Sequence, residues 1–418
     1  MNKFRMGAGL LIPALVVLTA LGISAVAAAS PVTIGAVKSV TAGEGFVTVV
    51  FERGTARVSM AGPGKLHVRA TAAPQFSPFP SFAVAPGVRE TAPRFRQEES
   101  TYVFETGSLR LVIDKKTGRM DVRDATGALV VAEPEGGGVF VDGDAVGCVK
   151  STTPDEHFYG FGEKTGPLDK RGTKMVMSNS DNVYTTTTDP LYQSHPFYLA
   201  VRAGRAYGLF FDNTFRSEFD VAASASDRVK FSAAGGEVDY WVLAGPGPRE
   251  VLTNYHELIG PMNLPPLWGL GYHQCRYSYR TAERVREIRD GFRKTYNIPL
   301  GALYLDIHYM DGYRVFTFDP KAFPNPKGLV DELLADGIKT VVIVDPGVKI
   351  DKNYPAFQEL RDNRWYCPDD KGKPFVARVW PGDVYFPDYY RPEVRQWWGD
   401  QHKFYTELGV AGIWNDMN

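Results

Sequence analysis

The chain has 418 residues, which by the usual ~100 to 200 residues per domain argues for two or three domains and against a single one. Lys and Arg total 47 against 48 Asp and Glu, a net charge of −1 with no long run of either sign. That balance removes the electrostatic case for nucleic acid or an anionic membrane and favours a neutral partner.

At the N-terminus Lys3 and Arg5 precede an apolar run from Gly9 to Ile23, followed by the small residues SAVAAAS. Ala25–Ala27 and Ala27–Ala29 both offer an A-x-A cleavage site. The pattern predicts a cleavable signal over residues 1–29, because the run is shorter than the ~20 residues a spanning helix needs. A secreted or periplasmic protein is expected, with no membrane attachment once the signal is removed. Cys148, Cys275 and Cys367 allow one disulfide at most and have no CxxC metal spacing.

From residue 30 to 264 short alternating runs such as FVTVVFERGTARVSM, LRLVIDKKTGRMDVRD and EVDYWVL are separated by Gly, Pro, Asp and Asn turns. A two-residue period over many short segments predicts an antiparallel β-sandwich. AAPQFSPFPSFAVAPG reads as surface loop, and GPGPREVLTNYHELIGPMNLPP as a helical connection to a second domain beginning at residue 265.

Beyond that boundary the period changes. LWGLGYHQ is an apolar run expected to be a strand, and TAERVREIRDGFRKTYN sets Val285, Ile288 and Phe292 at helical spacing behind Thr281 as N-cap. The unit recurs: GALYLDI precedes the helical GLVDELLADG, and IKTVVIVD precedes a long irregular stretch and then RPEVRQWWGDQHKFYTELG. VAGIWND supplies a fourth strand. Strands joined by helical crossovers demand a parallel sheet, either open and doubly wound or part of an eight-stranded barrel.

In the last three units the strand ends on a carboxylate, Asp306, Asp345 and Asp416. One Asp after a strand is ordinarily a turn or cap residue. Three in successive strands would converge on one pocket in a barrel, where the C-terminal ends of the strands face the active site. Convergent carboxylates with few His and Cys suit glycosidic chemistry, and 25 Phe, 21 Tyr and 7 Trp supply flat faces that pack in cores and also bind sugars. A divalent cation on the same carboxylates is the alternative. No HExxH, GxSxG, Walker A or GxGxxG pattern competes.

Seven segments, in order, add a resemblance: FYGFGEKTGPLDKRG, DPLYQSHPFYL, PPLWGLGYHQCRYSY, YLDIHYMDGYRVFTFDPKAFPNP, VVIVDPGV, VWPGDVYFPDY and GIWNDMN. Together they resemble glycoside hydrolase family 31, the α-glucosidase and α-xylosidase family. The resemblance implies an N-terminal antiparallel β-sandwich, a (β/α)8 catalytic barrel, and exo-acting hydrolysis that retains anomeric configuration on an α-linked oligosaccharide, with no cofactor and no metal. It makes Asp416 the nucleophile, and Asp306 and Asp345 the groups that hold sugar hydroxyls. Tyr277, Ile343, Trp380, Trp414 and Met417 match lining positions, and Asp181 and Asp189 lie where the family sends a loop over the pocket.

In this family the nucleophile stands on the fourth barrel strand, and the acid/base aspartate, an arginine and a histidine come from later strands. The expectation is therefore an incomplete barrel ending at its fourth strand, inactive as it stands. DIHYMDGYRVFTFDP looks more like the glucosidase members than the xylosidases. The rivals are an α-xylosidase and a non-catalytic saccharide-binding remnant; a doubly wound enzyme lacks its phosphate loop.

Overall fold

A computed structural model describes residues 32–105 and 107–417, so the signal reading over residues 1–29 lies outside them. The chain divides between Pro261 and Met262 into two compact units; the sequence reading put the boundary at 264/265.

Alternation builds the first unit. Along Val47–Phe51 the side chains of Val47, Val49 and Phe51 are buried while Thr48 and Val50 are half-buried, as a strand with one face on a core requires. An eight-stranded sheet runs, in spatial order, through Val37–Ala42, Val47–Phe51, Gly54–Met60, Lys65–Thr71, Val238–Gly245, Arg205–Phe211, Ser194–Arg202 and His157–Gly162. A five-stranded sheet runs through Val139–Asp142, Ala145–Ser151, Arg228–Ala233, Ser217–Val221 and Thr173–Met177. A third, five-stranded meander spans Arg94–Gln97 to Leu129–Val131. Every pairing in these sheets is antiparallel. One apolar core joins them, drawing Val49 and Val68 from the first, Phe219 and Phe231 from the second and Leu111 and Val122 from the meander. Each such side chain contributes about 1.5–3 kcal/mol on burial. The helix Pro248–Ile259 opens with proline at its first position and buries Val251 and Leu258 against Phe197, Phe210 and Trp241.

A charged pair sits inside this apolar core. The Lys150 and Glu133 side chains are 1 % and 0 % exposed, and Lys150 Nζ lies 2.9 Å from Glu133 Oε1. Lys150 also donates to the Tyr240 hydroxyl at 3.0 Å, while Glu133 Oε2 accepts from the Met120 and Gly138 amides at 3.0 and 2.9 Å. A Cβ at Gly138 would stand 2.7 Å from Glu133 Cδ, so only glycine lets its amide reach the carboxylate. The pair is fully bonded, which is the condition for burying charge without a large penalty.

His67 is a second charged group, half-buried. Its ring stacks on Trp241 at 4.0 Å, and its nitrogens lie 2.8 Å from Glu90 Oε2 and 2.6 Å from Asp239 Oδ1. Burial pushes the imidazole pKa down, but Asp239 and then Glu90 outweigh it and raise it from 6.5 to about 10. Because the folded value is the higher one, this contribution to stability is full below pH 6.5 and lost as pH rises through about 10. Chemical denaturation between those limits is expected to show stability falling with pH, and His67→Gln to flatten that slope; equal slopes in the two proteins would contradict it.

In the second unit four parallel strands, His273–Gln274, Ala302–Leu305, Lys339–Val344 and Gly412–Asn415, lie side by side in chain order. Helices Ala282–Asp290 and Pro326–Ala335 make the first two crossovers. Thr281 caps the first, its side chain accepting from the Arg284 amide at 3.2 Å, and Val285 is buried as its spacing predicts. The architecture is an antiparallel β-sandwich followed by part of a (β/α)8 barrel.

Two local expectations are corrected. Most of LWGLGYHQ is not strand: Leu267–Leu270 forms a 3-10 turn with Leu267 and Leu270 exposed, and only His273–Gln274 pairs. Pro265 and Pro266 lack the amides a ladder needs, which delays the strand. The stretch after Val344, read as irregular, holds helix Pro355–Asp362 and a three-stranded antiparallel sheet of Val348–Lys349, Gly382–Tyr385 and Val376–Val379. Its strands are two to four residues long, too short for alternation to register.

Candidate active site

The strand register fixes which side chains share a face. Tyr304 and Asp306, Ile343 and Asp345, and Trp414 and Asp416 are each two residues apart, so each strand sends an apolar or aromatic side chain and then its terminal carboxylate to the same side. Val344 pairs with Asn415 and Ile343 with Trp414, which sets Asp345 and Asp416 next to one another. The opposite face, with Leu303, Leu305, Val342 and Val344, is buried in a core with Leu329, Leu333, Leu360 and Val394 of the surrounding helices.

The ends of these strands are tied down. The Tyr309 hydroxyl lies 2.8 Å from both the Ile343 carbonyl oxygen and the Tyr405 hydroxyl, and Tyr405 accepts from the Phe316 amide at 2.7 Å. Asp306 accepts from the Ile307 amide at 2.7 Å and so caps the short turn Ile307–Tyr309. The ordinary role of a strand-end aspartate is thus present at Asp306 together with its place in the cluster. Asp416 accepts from the Met417 amide at 2.8 Å.

Asp306 and Asp345 are buried and Asp416 is half-buried. Burial, with Asp416 and then Asp306 beside it, pushes the Asp345 carboxyl from 3.8 to about 6. Burial also raises Asp306, with the Ile307 amide and His308 opposing and Asp416 adding. The acidic neighbour acting on Asp306 is Asp416, and those acting on Asp345 are Asp416 and Asp306. Asp345 Oδ1 and His308 Nδ1 are buried with no hydrogen-bond partner among the described residues. An orphaned buried carboxylate oxygen beside raised carboxyls makes these strand ends a candidate ligand site.

Beside the carboxylates lies an open aromatic wall. Tyr277 packs edge-on against His308 at 5.1 Å and faces Trp380 at 5.9 Å, with 55 % and 51 % of Tyr277 and Trp380 exposed. Trp380 reaches this position from the turn between Val376–Val379 and Gly382–Tyr385. Trp414 meets Tyr304 edge-on at 6.1 Å, Ile343 is buried, and Met417 is half exposed. His308, Tyr304 and Cys275 are additions to the sequence-derived set. Cys275 is exposed, and burial with Asp306 nearby raises its thiol pKa. The signal for His308 was its place two residues after a strand-end Asp, and Tyr304 was one alternation before it.

Asp181 and Asp189 belong to the first unit. Asp189 pairs with Lys164 at 2.7 Å and accepts from the Val176 amide at 2.6 Å, so it is held locally; Asp181 is exposed and accepts from Tyr192 at 2.9 Å. Among the described residues no three His, Cys, Asp or Glu side chains are arranged to hold a metal ion, all three cysteines are free, and no helix is long and apolar enough to cross a membrane.

Parallel barrel strands that end in neighbouring carboxylates beside exposed aromatic faces fit the class of glycoside hydrolases. Residues 55–220 match the Glycosyl hydrolase 31 N-terminal galactose mutarotase-like domain and residues 262–418 the Glycosyl hydrolases family 31 TIM-barrel domain. The chain belongs to glycoside hydrolase family 31. It is 50 % identical over 325 residues to Alpha-glucosidase 2 of Bacillus thermoamyloliquefaciens, covering 77 % of this chain and 41 % of that protein. It is 36 % identical over 283 residues to Alpha-xylosidase 1 of Arabidopsis thaliana, covering 65 % and 30 %. A family 31 dextranase of Flavobacterium johnsoniae complexed with isomaltotriose superposes with a TM-score of 0.85 at 30 % identity, over 92 % of this chain and 48 % of that one. The chain thus spans under half the length of these relatives.

Proposed function

We propose that this chain carries the nucleophile and the sugar-positioning part of a retaining, exo-acting α-glucosidase site. The supporting observation is the trio Asp306, Asp345 and Asp416 on adjacent parallel strands, with Asp416 adding to the raised carboxyls of both Asp306 and Asp345. An Asp416 oxygen attacks the anomeric carbon as the glycosidic C–O bond breaks, forming a glycosyl ester that water then cleaves with net retention. Asp306 and Asp345 accept hydrogen bonds from ring hydroxyls, and Tyr277 and Trp380 line the sugar's path. Lys and Arg balance Asp and Glu, which suits a neutral oligosaccharide. The signal pattern over residues 1–29 supports a periplasmic or extracellular setting for this activity.

A proton donor to the leaving oxygen is not assigned to any of the three. An α-glucosyl fluoride trap needs none, since fluoride leaves without a proton. Such a trap is expected to add one glucosyl mass at Asp416, and Asp416→Asn to abolish labelling; an adduct on another residue would sink the assignment.

The α-xylosidase relative supports a second reading. A pocket that accepts or rejects the extra CH2OH of glucose discriminates by about 1–3 kcal/mol, so labelling by glucosyl and xylosyl fluorides separates the two readings.

A further inference from the structure

A cavity of about 420 Å³ opens in the first unit, where the meander meets strands Ser194–Arg202 and Arg205–Phe211. That lies within the ~300–1,000 Å³ of small-molecule pockets. Its buried floor holds Tyr207 and the Glu156 carboxyl, which accepts from the Thr152 hydroxyl at 2.6 Å. Two guanidinium groups stand at its wall: Arg202, donating to the Thr153 hydroxyl at 3.2 Å, and the exposed Arg205, 3.4 Å from Asp124 Oδ2. Leu129 supplies an apolar side.

Two arginines face two carboxyls, so the lining is charge-balanced and gives an anion no net advantage. N–H donors and carboxyl acceptors share a partly apolar lining. A sugar needs that combination: each hydroxyl both donates and accepts, and the ring's C–H face is apolar. We propose that this cavity is a non-catalytic binding site for a neutral saccharide unit, separate from the strand-end carboxylates of the second unit and independent of their chemistry.

The test is calorimetric titration of the full chain with maltose, glucose 6-phosphate and galacturonate. To silence the second unit, the titrations use an Asp306→Asn/Asp345→Asn background. Saturable maltose binding is expected to persist there. Ala125→Trp, at an exposed turn lining the cavity, is expected to weaken it by about tenfold or more without changing the melting temperature. Arg205→Ala, at the rim, should weaken it in the same direction. Loss of maltose binding in the background protein, or binding indifferent to both cavity variants, would overturn the proposal. Anionic sugars binding tenfold more tightly than maltose would overturn the neutral class. Labelling at Asp416 reports on the second unit alone, so the two readings fail separately.

Discussion

Lys150→Met is expected to cost the N-terminal sandwich about 3–5 kcal/mol, because it leaves the Glu133 carboxylate buried without its cation. Glu133 is 0 % exposed and has no route to water short of opening the sheets. Set against a usual domain stability of about 5–15 kcal/mol, that loss unfolds a large share of molecules on modest warming. Pairing it with Glu133→Gln should recover most of the loss. The glutamine carbonyl can still accept from the Met120 and Gly138 amides, and the charge is gone. Urea unfolding followed by tryptophan fluorescence, with Trp241 as the buried reporter in this unit, measures both. A single variant within about 1 kcal/mol of wild type would show that the pair is not held as described.

Asp345→Asn is expected to act in the opposite direction, stabilising the second unit at pH 7 by about 1–3 kcal/mol. The Asp345 carboxyl is raised from 3.8 to about 6, so the folded state binds its proton more tightly than the unfolded chain does. That stability is complete below pH 3.8 and lost as pH rises through about 6. At neutral pH the folded unit carries a buried, repelled charge that asparagine removes. The advantage of the variant should therefore fade on acidification below about pH 4, and melting curves at pH 4 and 7 test this. Under the proposed function, saccharide binding by the same variant is expected to fall, since the charge that destabilises the empty fold would be the acceptor for a sugar hydroxyl. A variant no more stable at pH 7 than at pH 4, relative to wild type, would refute the burial argument.

Much of the site was legible because it is local. Asp306, Asp345 and Asp416 each follow a short apolar run, and Thr281 precedes a helical period, so backbone periodicity alone placed them at strand ends and a helix start. The seven family segments carried Tyr277, Ile343, Trp380, Trp414 and Met417. The short excursion after Val344 was not legible. Its two- to four-residue strands pair only because Val348–Lys349 is held beside Gly382–Tyr385 by the fold around them. His308 was hidden because its significance lies in an unpartnered ring nitrogen and in Tyr277 at 5.1 Å, contacts between distant parts of the chain.

By itself, then, the amino-acid order determined the type of most elements, the succession from antiparallel strands to β–α units and the strand-end carboxylates, all products of spacing along the backbone, while the barrel came from the family segments. Tertiary structure alone decided that Lys65–Thr71 lies beside Val238–Gly245, that Lys150 finds Glu133 and Tyr240 in an apolar core, and that Asp345 holds its proton to about pH 6. Those outcomes depend on burial and on charges far apart in sequence, and both exist only once the sheets have closed on their cores.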